Sequence, residues 1–343
     1  MESAGADSIA SSAGAELAGG LAEPESGEGA LSGSAGADSI ASSAGAELAA
    51  GLAEPESRQD AVSGPDFVGP DGPSVRMALA IATADLREAG VDNPRLDAEL
   101  LLADALGATR TSLHLRPEAI IDNGACERFA RAVARRRARE PVAYIRGTRG
   151  FRHIDLYVDG RVLVPRPETE LLVEVALQLP RGARVADVGT GSGAVALALK
   201  HERPDLDVVA TDLSADALEV AQANAAALRL DVAFAQGDLL DGVSGPLDAV
   251  LSNPPYVPDG DRAELEPEVA VHEPAQALFA GDDGLDVVRR LAVEAAARAR
   301  FVAFEIGAGQ APAVGELLRA AGMTTVRAHR DLAGIERVVV GER

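Results

Sequence analysis

The tetrapeptide Asn253-Pro-Pro-Tyr256 directly follows the apolar run of residues 249–252 and contains groups that can hold a planar amino group. The Asn253 side-chain carbonyl, together with a backbone carbonyl held rigidly by the proline pair, provides two acceptors for both hydrogens of one NH2. The ring of Tyr256 can pack on the plane that carries this nitrogen. These residues suit methyl transfer to an amide or exocyclic amino nitrogen. Asn253, Pro254, Pro255 and Tyr256 are therefore candidates for substrate binding, and Asn253, Pro254 and Tyr256 for catalysis.

A proline-rich tetrapeptide has a simpler interpretation as a surface loop or as a polyproline ligand for an aromatic groove. Its place in the chain favours a site instead, because it follows a predicted buried strand downstream of a glycine-rich loop.

This loop, Gly189-Thr-Gly-Ser-Gly193, joins a predicted strand to a predicted helix, a geometry that brings backbone close to a ligand at a helix N-terminus. Gly189, Thr190, Gly191, Ser192 and Gly193 are therefore candidate cofactor-binding residues. The loop alone is ambiguous, because it also satisfies the relaxed dinucleotide fingerprint and an acid for ribose hydroxyls follows at a suitable distance. Nicotinamide binding is an open alternative at this point.

Two features favour S-adenosylmethionine: the Asn-Pro-Pro-Tyr tetrapeptide, and Asp187, which precedes the loop and is placed to meet the methionine ammonium. Asp212 is the candidate for ribose, and Asp238, followed by Leu239, is placed near the adenine. The simpler interpretations are a helix N-cap for Asp212 and a turn acid for Asp238. Asn253 completes the set of candidate cofactor-binding residues.

Composition narrows the class of protein. The 343 residues are 47% apolar, enough for two packed domains. The net charge of −22 disfavours a partner bound through its phosphates, and composition therefore argues against a nucleic-acid substrate. One cysteine and five scattered histidines predict no metal and no disulfide framework. The absence of a signal-like or bilayer-length apolar stretch makes the cytoplasm the default location, without a membrane partner.

Four segments are predicted. Residues 1–73 form an acidic tail in which residues 3–26 recur at 34–57 with a period of 31, and its Ala, Gly, Ser and Glu content predicts disorder or a docking segment. Residues 74–145 form a helical domain that we expect to recognise the substrate. Its run Arg135–Arg139 is interpreted as a solvated helix face or as a contact patch for an acidic partner.

Residues 146–165 are predicted to be a connecting β-hairpin, with strands 151–158 and 162–164 and a turn at Asp159-Gly160. In residues 166–343 strands and helices alternate, which predicts an α/β fold with a mostly parallel sheet of seven strands. The strands are expected at 184–188, 207–211, 232–236, 249–252, 301–306, 324–329 and 335–340, the last two as an antiparallel edge hairpin.

Four phrases of this sequence, in this order, resemble the peptide chain release factor glutamine methyltransferases, also called PrmC or HemK: Val164–Glu170, Asp187–Gly193, Ser252–Tyr256 and Glu268–Pro274. The resemblance covers residues 74–343. It implies a Rossmann-like class I fold and methylation, by S-adenosylmethionine, of the glutamine of the Gly-Gly-Gln motif in release factors. It also implies that the glycine loop, Asp212, Leu239 and Asn253 hold the cofactor and that residues 253–256 hold the glutamine.

The chain departs from the family in one place, because the usual Pro-Gly-Gly turn before the fifth strand is absent and Ala295–Arg300 runs straight into it. We expect a modest cost in stability there. Three rivals remain. The first is a methyltransferase for amino groups of nucleic acid, for which the same acceptor geometry serves. The second is a non-catalytic binding module. The third is a nicotinamide oxidoreductase, which is disfavoured because no plausible acid-base histidine lies near the loops. We expect the protein to be a monomer.

Overall fold

The computed structural model describes residues 72–343. Except for its last two residues, the predicted acidic tail with its repeat lies outside this part of the chain. The described chain contains a helical domain followed by a small hairpin and a seven-stranded sheet covered by helices on both faces.

The helical domain begins at Ser74, whose hydroxyl caps the first helix by accepting from the Met77 amide at 3.3 Å. Its own core includes the fully buried Leu86, Leu102 and Phe129, and Tyr144 near its end packs in a second apolar cluster with Val220 of the sheet domain. The Met77 side chain is exposed, because the buried face of the first helix passes through the neighbouring Ala78. The helices are α1 Val75–Glu88, α2 Pro94–Leu106, α3 Arg110–Leu115, α4 Asn123–Arg137 and the unpredicted α5 Val142–Arg146.

The arginine run at the end of α4 is divided: Arg135 is exposed, as predicted for a solvated face, whereas Arg136 and Arg139 bind acids of this chain, so the run is not a free basic patch. The buried Arg136 bridges Asp97 of α2 and Glu268 of the sheet domain, each at 2.7 Å. Arg139 binds the same Glu268 at 2.6 Å and Glu266 at 3.0 Å. These five residues are called the interdomain ion-pair cluster below. They fix the helical domain against the sheet domain.

A two-stranded antiparallel hairpin follows, but at other residues than predicted. Its strands are β1 Thr148–Phe151 and β2 Ile154–Tyr157. The turn lies at Arg152, which adopts a left-handed conformation (φ 50°) and is held by Glu170 and Glu202. The predicted turn at Asp159 exists, but it is closed by the Asp159 carboxylate on the Arg161 amide at 3.0 Å and is not followed by a strand. Two acids distant in sequence, Glu170 and Glu202, therefore hold the turn of this hairpin.

The elements after the hairpin are α6 Glu170–Ala176, β3 Arg184–Val188, α7 Ala194–Glu202, β4 Asp207–Asp212, α8 Ala215–Leu228, β5 Ala233–Gln236, β6 Ala249–Ser252, α9 Pro267–His272, α10 Asp286–Arg298, β7 Phe301–Glu305, α11 Ala311–Ala320, β8 Thr325–Arg330 and β9 Glu336–Glu342. The sheet has the strand order β5-β4-β3-β6-β7-β9-β8, in which only β9 runs antiparallel to its neighbours β7 and β8. This confirms the predicted Rossmann-like, mostly parallel sheet of seven strands, with each predicted strand found to within two residues. A 3-10 turn, Pro167–Thr169, precedes α6.

Each face of the sheet has its own core: one contains α6 and α7, the other α10 and α11. The shortened connection between α10 and β7 is closed by side chains. Arg298 donates to three carbonyls of the loop 240–245, and Arg343 donates to the Ala299 carbonyl at 3.0 Å. Among the described helices, none is long and apolar enough to cross a membrane.

Replacing Arg136 by Met is expected to destabilise the protein by about 3 kcal/mol, because Asp97 and Glu268 then stay partly or fully buried without their shared cation. Denaturant unfolding measures this change. Arg131→Met on the same helix is the matched control, since that side chain and its partner Glu127 are both about 70% exposed and the expected change is below about 0.5 kcal/mol. Equal effects of the two substitutions would contradict a structural role for the cluster.

Candidate active site

The register of the central strands brings the two sequence motifs together. Val188, the last residue of β3, pairs with Ser252, the last residue of β6, and the Ser252 hydroxyl donates to the Val188 carbonyl at 2.7 Å. The glycine loop and Asn253 therefore leave neighbouring parallel strands side by side, about 4.8 Å apart. They open into one cleft at the carboxyl edge of the sheet, where ligands bind in open α/β folds.

Most predicted site residues line this cleft. On the cofactor side they are Asp187, Gly189, Thr190, Gly191, Ser192, Asp212, Asp238 and Leu239, and on the substrate side Asn253, Pro254 and Pro255. Gly193 and Tyr256 are not part of the lining. Gly193 begins α7, where a Cβ would come within 2.8 Å of Leu197, so its role is close packing of the helix.

The glycine loop is shaped for a ligand. Gly189 and Gly191 have φ values of 71° and 55°, and no atom lies within 4 Å of where a Cβ would be added at either. Their backbone is thus open to the cleft, in a conformation that glycine adopts without strain. The Gly189 and Thr190 amides both donate to the Thr211 carbonyl of β4 at 2.9 Å, which anchors the start of the loop.

Asp187 lies beneath the loop and is almost fully buried. One carboxylate oxygen accepts from the Thr190 hydroxyl at 2.6 Å and from the Ala196 amide at 3.2 Å. Burial raises the pKa of this carboxyl to about 6, against the opposing effect of those two donors. A buried carboxylate that lines the cleft is suited to pair with a cationic ligand group.

Asp212 organises the loop from the next strand. Its carboxylate accepts from the Gly191 amide and from the Ser214 amide, both at 2.9 Å. The N-cap of α8 is Ser214, which accepts from the Ala217 amide at 3.2 Å, so Asp212 is not the cap of this helix. Burial raises the pKa of Asp212, although the amide donors oppose the shift.

Asp238 and Leu239 follow β5 at the far end of the cleft. The Asp238 carboxylate pairs with Arg290 of α10 at 2.5 Å, and both residues line the cleft. Leu239 is buried with φ 53°, and its carbonyl accepts from the Thr211 hydroxyl at 2.8 Å. This bond fixes the Leu239 backbone relative to β4.

Asn253 has a defined orientation. Its amide nitrogen donates to the Thr169 hydroxyl at 3.1 Å, which leaves the side-chain carbonyl without a partner among the described residues. The Pro254 carbonyl also accepts no hydrogen bond from any residue that the structure describes. The site therefore offers two unused acceptors, as the tetrapeptide predicted.

Tyr256 is fixed beside these acceptors. Its carbonyl accepts from the Gln310 side chain at 3.0 Å, and its ring packs against Gly307, where a Cβ would lie 3.3 Å from the ring. Burial and the nearby Glu305 raise the pKa of Tyr256 to about 12, so the phenol is neutral at physiological pH. The ring is therefore a packing surface and not a base.

Sequence reasoning missed four polar residues around the cleft: Arg166, Thr169, Glu273 and Glu305. Arg166 binds the buried Glu273 at 2.7 Å, and both Arg166 and Thr169 line the cleft. The available signal was an acid placed inside an apolar segment, as in the strand that ends at Glu305. Among the described residues, no group of three or more His, Cys, Asp or Glu is arranged to hold a metal ion.

The fold and this cleft define a Rossmann-like methyltransferase that uses S-adenosylmethionine. Two family models match the chain: the PrmC N-terminal domain over residues 77–147 and the methyltransferase small domain over residues 167–293. The open glycine loop and the buried Asp187 fit the cofactor.

Curated relatives extend this match over nearly the whole described chain. The release factor glutamine methyltransferase of Deinococcus radiodurans is 46% identical over 275 residues, which is 78% of this chain and 98% of the relative. Proteins with the same description from Rhodospirillum rubrum (42%, 75% of this chain and 82% of the relative) and Mycolicibacterium smegmatis (47%, 65% and 79%) are similar. The chain belongs to the family of release factor glutamine methyltransferases.

Replacing Asp212 by Asn is expected to weaken S-adenosylmethionine binding about tenfold, because the carboxylate that accepts from both Gly191 and Ser214 loses one acceptor. Isothermal titration calorimetry measures the affinity. Asp216→Asn, an exposed acid one residue inside α8, is the matched control and should leave it unchanged. An Asp212→Asn protein that binds like the wild type would show that the loop is ordered without this carboxylate.

Proposed function

We propose that this protein transfers the methyl group of S-adenosylmethionine to the side-chain amide nitrogen (N5) of the glutamine in the Gly-Gly-Gln motif of peptide chain release factors. One observation carries the proposal: the two unused acceptors, the Asn253 side-chain carbonyl and the Pro254 carbonyl, lie beside the glycine loop. Two acceptors match the two hydrogens of a primary amide. The curated relatives are described as acting on release factor glutamine.

The chemistry demands these acceptors. An amide nitrogen is a poor nucleophile because its lone pair is delocalised into the carbonyl. Acceptors at Asn253 and Pro254 draw both hydrogens to one side and favour the pyramidal geometry in which the lone pair can attack in line. Tyr256 is neutral and takes no proton; since it is not part of the cleft lining, the packing of its ring on the amide plane stays a prediction. The bound cofactor supplies a methyl group on a positively charged sulfur, and the proton leaves the nitrogen after transfer.

The roles of the cofactor side follow from its polar groups. We assign Asp187 to the methionine ammonium and Asp212 to the ribose hydroxyls. The backbone of residues 189–193 is the part of the loop that the cofactor approaches closely. Asp238 and Leu239 belong to the adenine end of the cleft. Asn253 contributes to both ligands, since it stands between the loop and the substrate acceptors.

The helical domain, residues 74–145, is proposed to bind a second surface of the release factor while the glutamine enters the cleft. The interdomain ion-pair cluster supports this role, because it holds the domain in one orientation relative to the cleft. The proposal also includes a monomeric enzyme in the cytoplasm. Nucleic acid is not its substrate in this proposal, since a net charge of −22 repels phosphates.

The first test is methylation of a purified, unmodified release factor, followed by mass spectrometry of its peptides. We expect the gain of one methyl group on the glutamine of the Gly-Gly-Gln peptide. Asn253→Ala is expected to lower the rate at least about 100-fold, because one of the two preorganised acceptors is lost. Asn123→Ala, an exposed residue in the first turn of α4, is the matched control and keeps the wild-type rate.

A methyl group found on another residue, or none found while the cofactor is bound, would contradict the assigned substrate. Duplex DNA and ribosomal RNA are assayed in parallel at moderate salt. Their methylation would favour the rival activity on an exocyclic amino group.

The affinity for S-adenosylmethionine is expected to depend on pH through Asp187. The cationic ligand requires the ionised carboxylate, whose pKa in the free protein is about 6. Binding is therefore strong above pH 6 and weakens as pH falls below it, by about tenfold per unit. Calorimetry between pH 5 and 8 checks this, and Asp187→Asn should bind weakly with little pH dependence. A wild-type affinity that is constant over this range would remove Asp187 from the role.

A further inference from the structure

One buried acid near the cleft has no part in the functions assigned above. Glu305 is the last residue of β7, next to β6, and is only 1% exposed. Its carboxylate is hydrogen-bonded by the Thr169 hydroxyl. Its second oxygen, Oε2, is buried and has no hydrogen-bond partner among the described residues. A buried carboxylate with one oxygen unpaired is costly, which calls for a functional reason.

Thr169 connects this acid to the substrate acceptors. The same hydroxyl that binds Glu305 accepts a hydrogen from the Asn253 amide nitrogen at 3.1 Å. A threonine hydroxyl has one hydrogen to donate. While that hydrogen is given to the Glu305 carboxylate, only the lone pairs of the oxygen face Asn253. The amide must then present its NH2 to Thr169 and its carbonyl to the cleft.

We propose that Glu305 is a positioning residue for methyl transfer, which acts through Thr169 to hold the Asn253 carbonyl towards the substrate nitrogen. The inference rests on the proposed function, in which this carbonyl accepts from the substrate amide. In this inference Glu305 determines whether Asn253 presents its carbonyl, an acceptor, or its NH2, a donor, to the cleft. A flipped Asn253 would present NH2 to the substrate NH2, which offers no hydrogen bond.

The hydrogen-bonded chain from Glu305 through Thr169 to Asn253, called the relay below, depends on the protonation state of Glu305. A protonated Glu305 is itself a donor to Thr169, which frees the threonine hydrogen for the Asn253 carbonyl and reverses the amide. The charged and titratable groups near Glu305 are Glu168 of the 3-10 turn, Arg166 just before that turn, Arg337 of β9, and Tyr256. Burial outweighs the two arginines and raises the pKa of Glu305 to about 7. The productive, ionised form is therefore gained as pH rises through neutrality.

The experiment compares Glu305→Gln, Thr169→Val and Thr169→Ser with the wild type, using the full-length protein, a release factor and saturating S-adenosylmethionine. Gln can donate to Thr169, so Glu305→Gln mimics the protonated acid without changing shape. We expect kcat to fall about 10- to 100-fold in Glu305→Gln and Thr169→Val. Thr169→Ser, which keeps the hydroxyl, should stay within about threefold of wild type.

The pH profile separates positioning from structural support. Wild-type kcat should rise between pH 6 and 8 with a midpoint near the pKa of Glu305, about 7, while Glu305→Gln should show a low, flat profile. The double variant that combines Glu305→Gln with Thr169→Val should be no slower than the slower of these two single variants, because both substitutions break the same relay. Melting temperature and calorimetric affinity for S-adenosylmethionine establish that each variant is folded and loaded.

If the Glu305→Gln variant has the kcat and the pH profile of the wild type, the proposal is overturned. A slow Glu305→Gln beside a normal Thr169→Val also overturns it, since the effect would then bypass the hydroxyl. A wild-type enzyme that leaves the release factor unmethylated is a different result, because it rejects the proposed substrate. In that case the same variants are tested on whichever amino substrate is methylated, and a rate unchanged by them rejects the relay.

Discussion

The parallel pairing of β3 with β6 is the constraint on which the site depends. Val188 and Ser252 end their strands opposite each other, and the Ser252 hydroxyl ties the two ends together. The chain changes direction just beyond this pair on both strands, so the glycine loop and Asn253 meet in one cleft. A slip of one residue would turn Asn253 to the other face of the sheet. The slip is opposed by packing, since Ala249 and Leu251 fill the core on one face and Val250 the core on the other, and a slip would exchange them.

Several acids are buried at the carboxyl edge of the sheet, where their burial lowers the stability of the fold. Burial raises the pKa values of Asp187, Asp212 and Glu305. The native state then binds more protons than the unfolded chain between the ordinary and the raised pKa, so these groups lower the free energy of unfolding as pH rises through that window. Hydrogen bonds from Thr190, the Gly191 amide and Thr169 offset part of this cost. Stability is given up at positions to which the proposed function assigns fixed negative charge for cofactor binding and for the orientation of Asn253.

The helical domain is joined to the sheet domain by ion pairs and by an apolar cluster in which Ala143 and Tyr144 of α5 pack with Val220 of α8. Arg139 holds Glu268 on α9, and the residue that follows α9, Glu273, holds Arg166. Arg166 in turn precedes the 3-10 turn that contributes Thr169 to the cleft. Two ion pairs thus connect the proposed substrate-recognition domain to the turn that orients Asn253.

Local patterns were enough to predict the strands, the glycine loop and the Asn-Pro-Pro-Tyr site, because alternation and turn residues act over a few positions. Contacts between distant segments were not predictable in this way. The arginine run of α4 has the same sequence whether it is solvated or bound to Glu268, and only folding brings that partner to it. Glu305 shows the intermediate case: its apolar neighbours in the strand indicate burial, yet its partner Thr169 comes from a turn far earlier in the chain. The acid of such a buried pair can therefore be recognised in the sequence, because an acid inside an apolar strand has no evident reason to be there. Its role becomes clear only when the fold shows its partner, here Thr169.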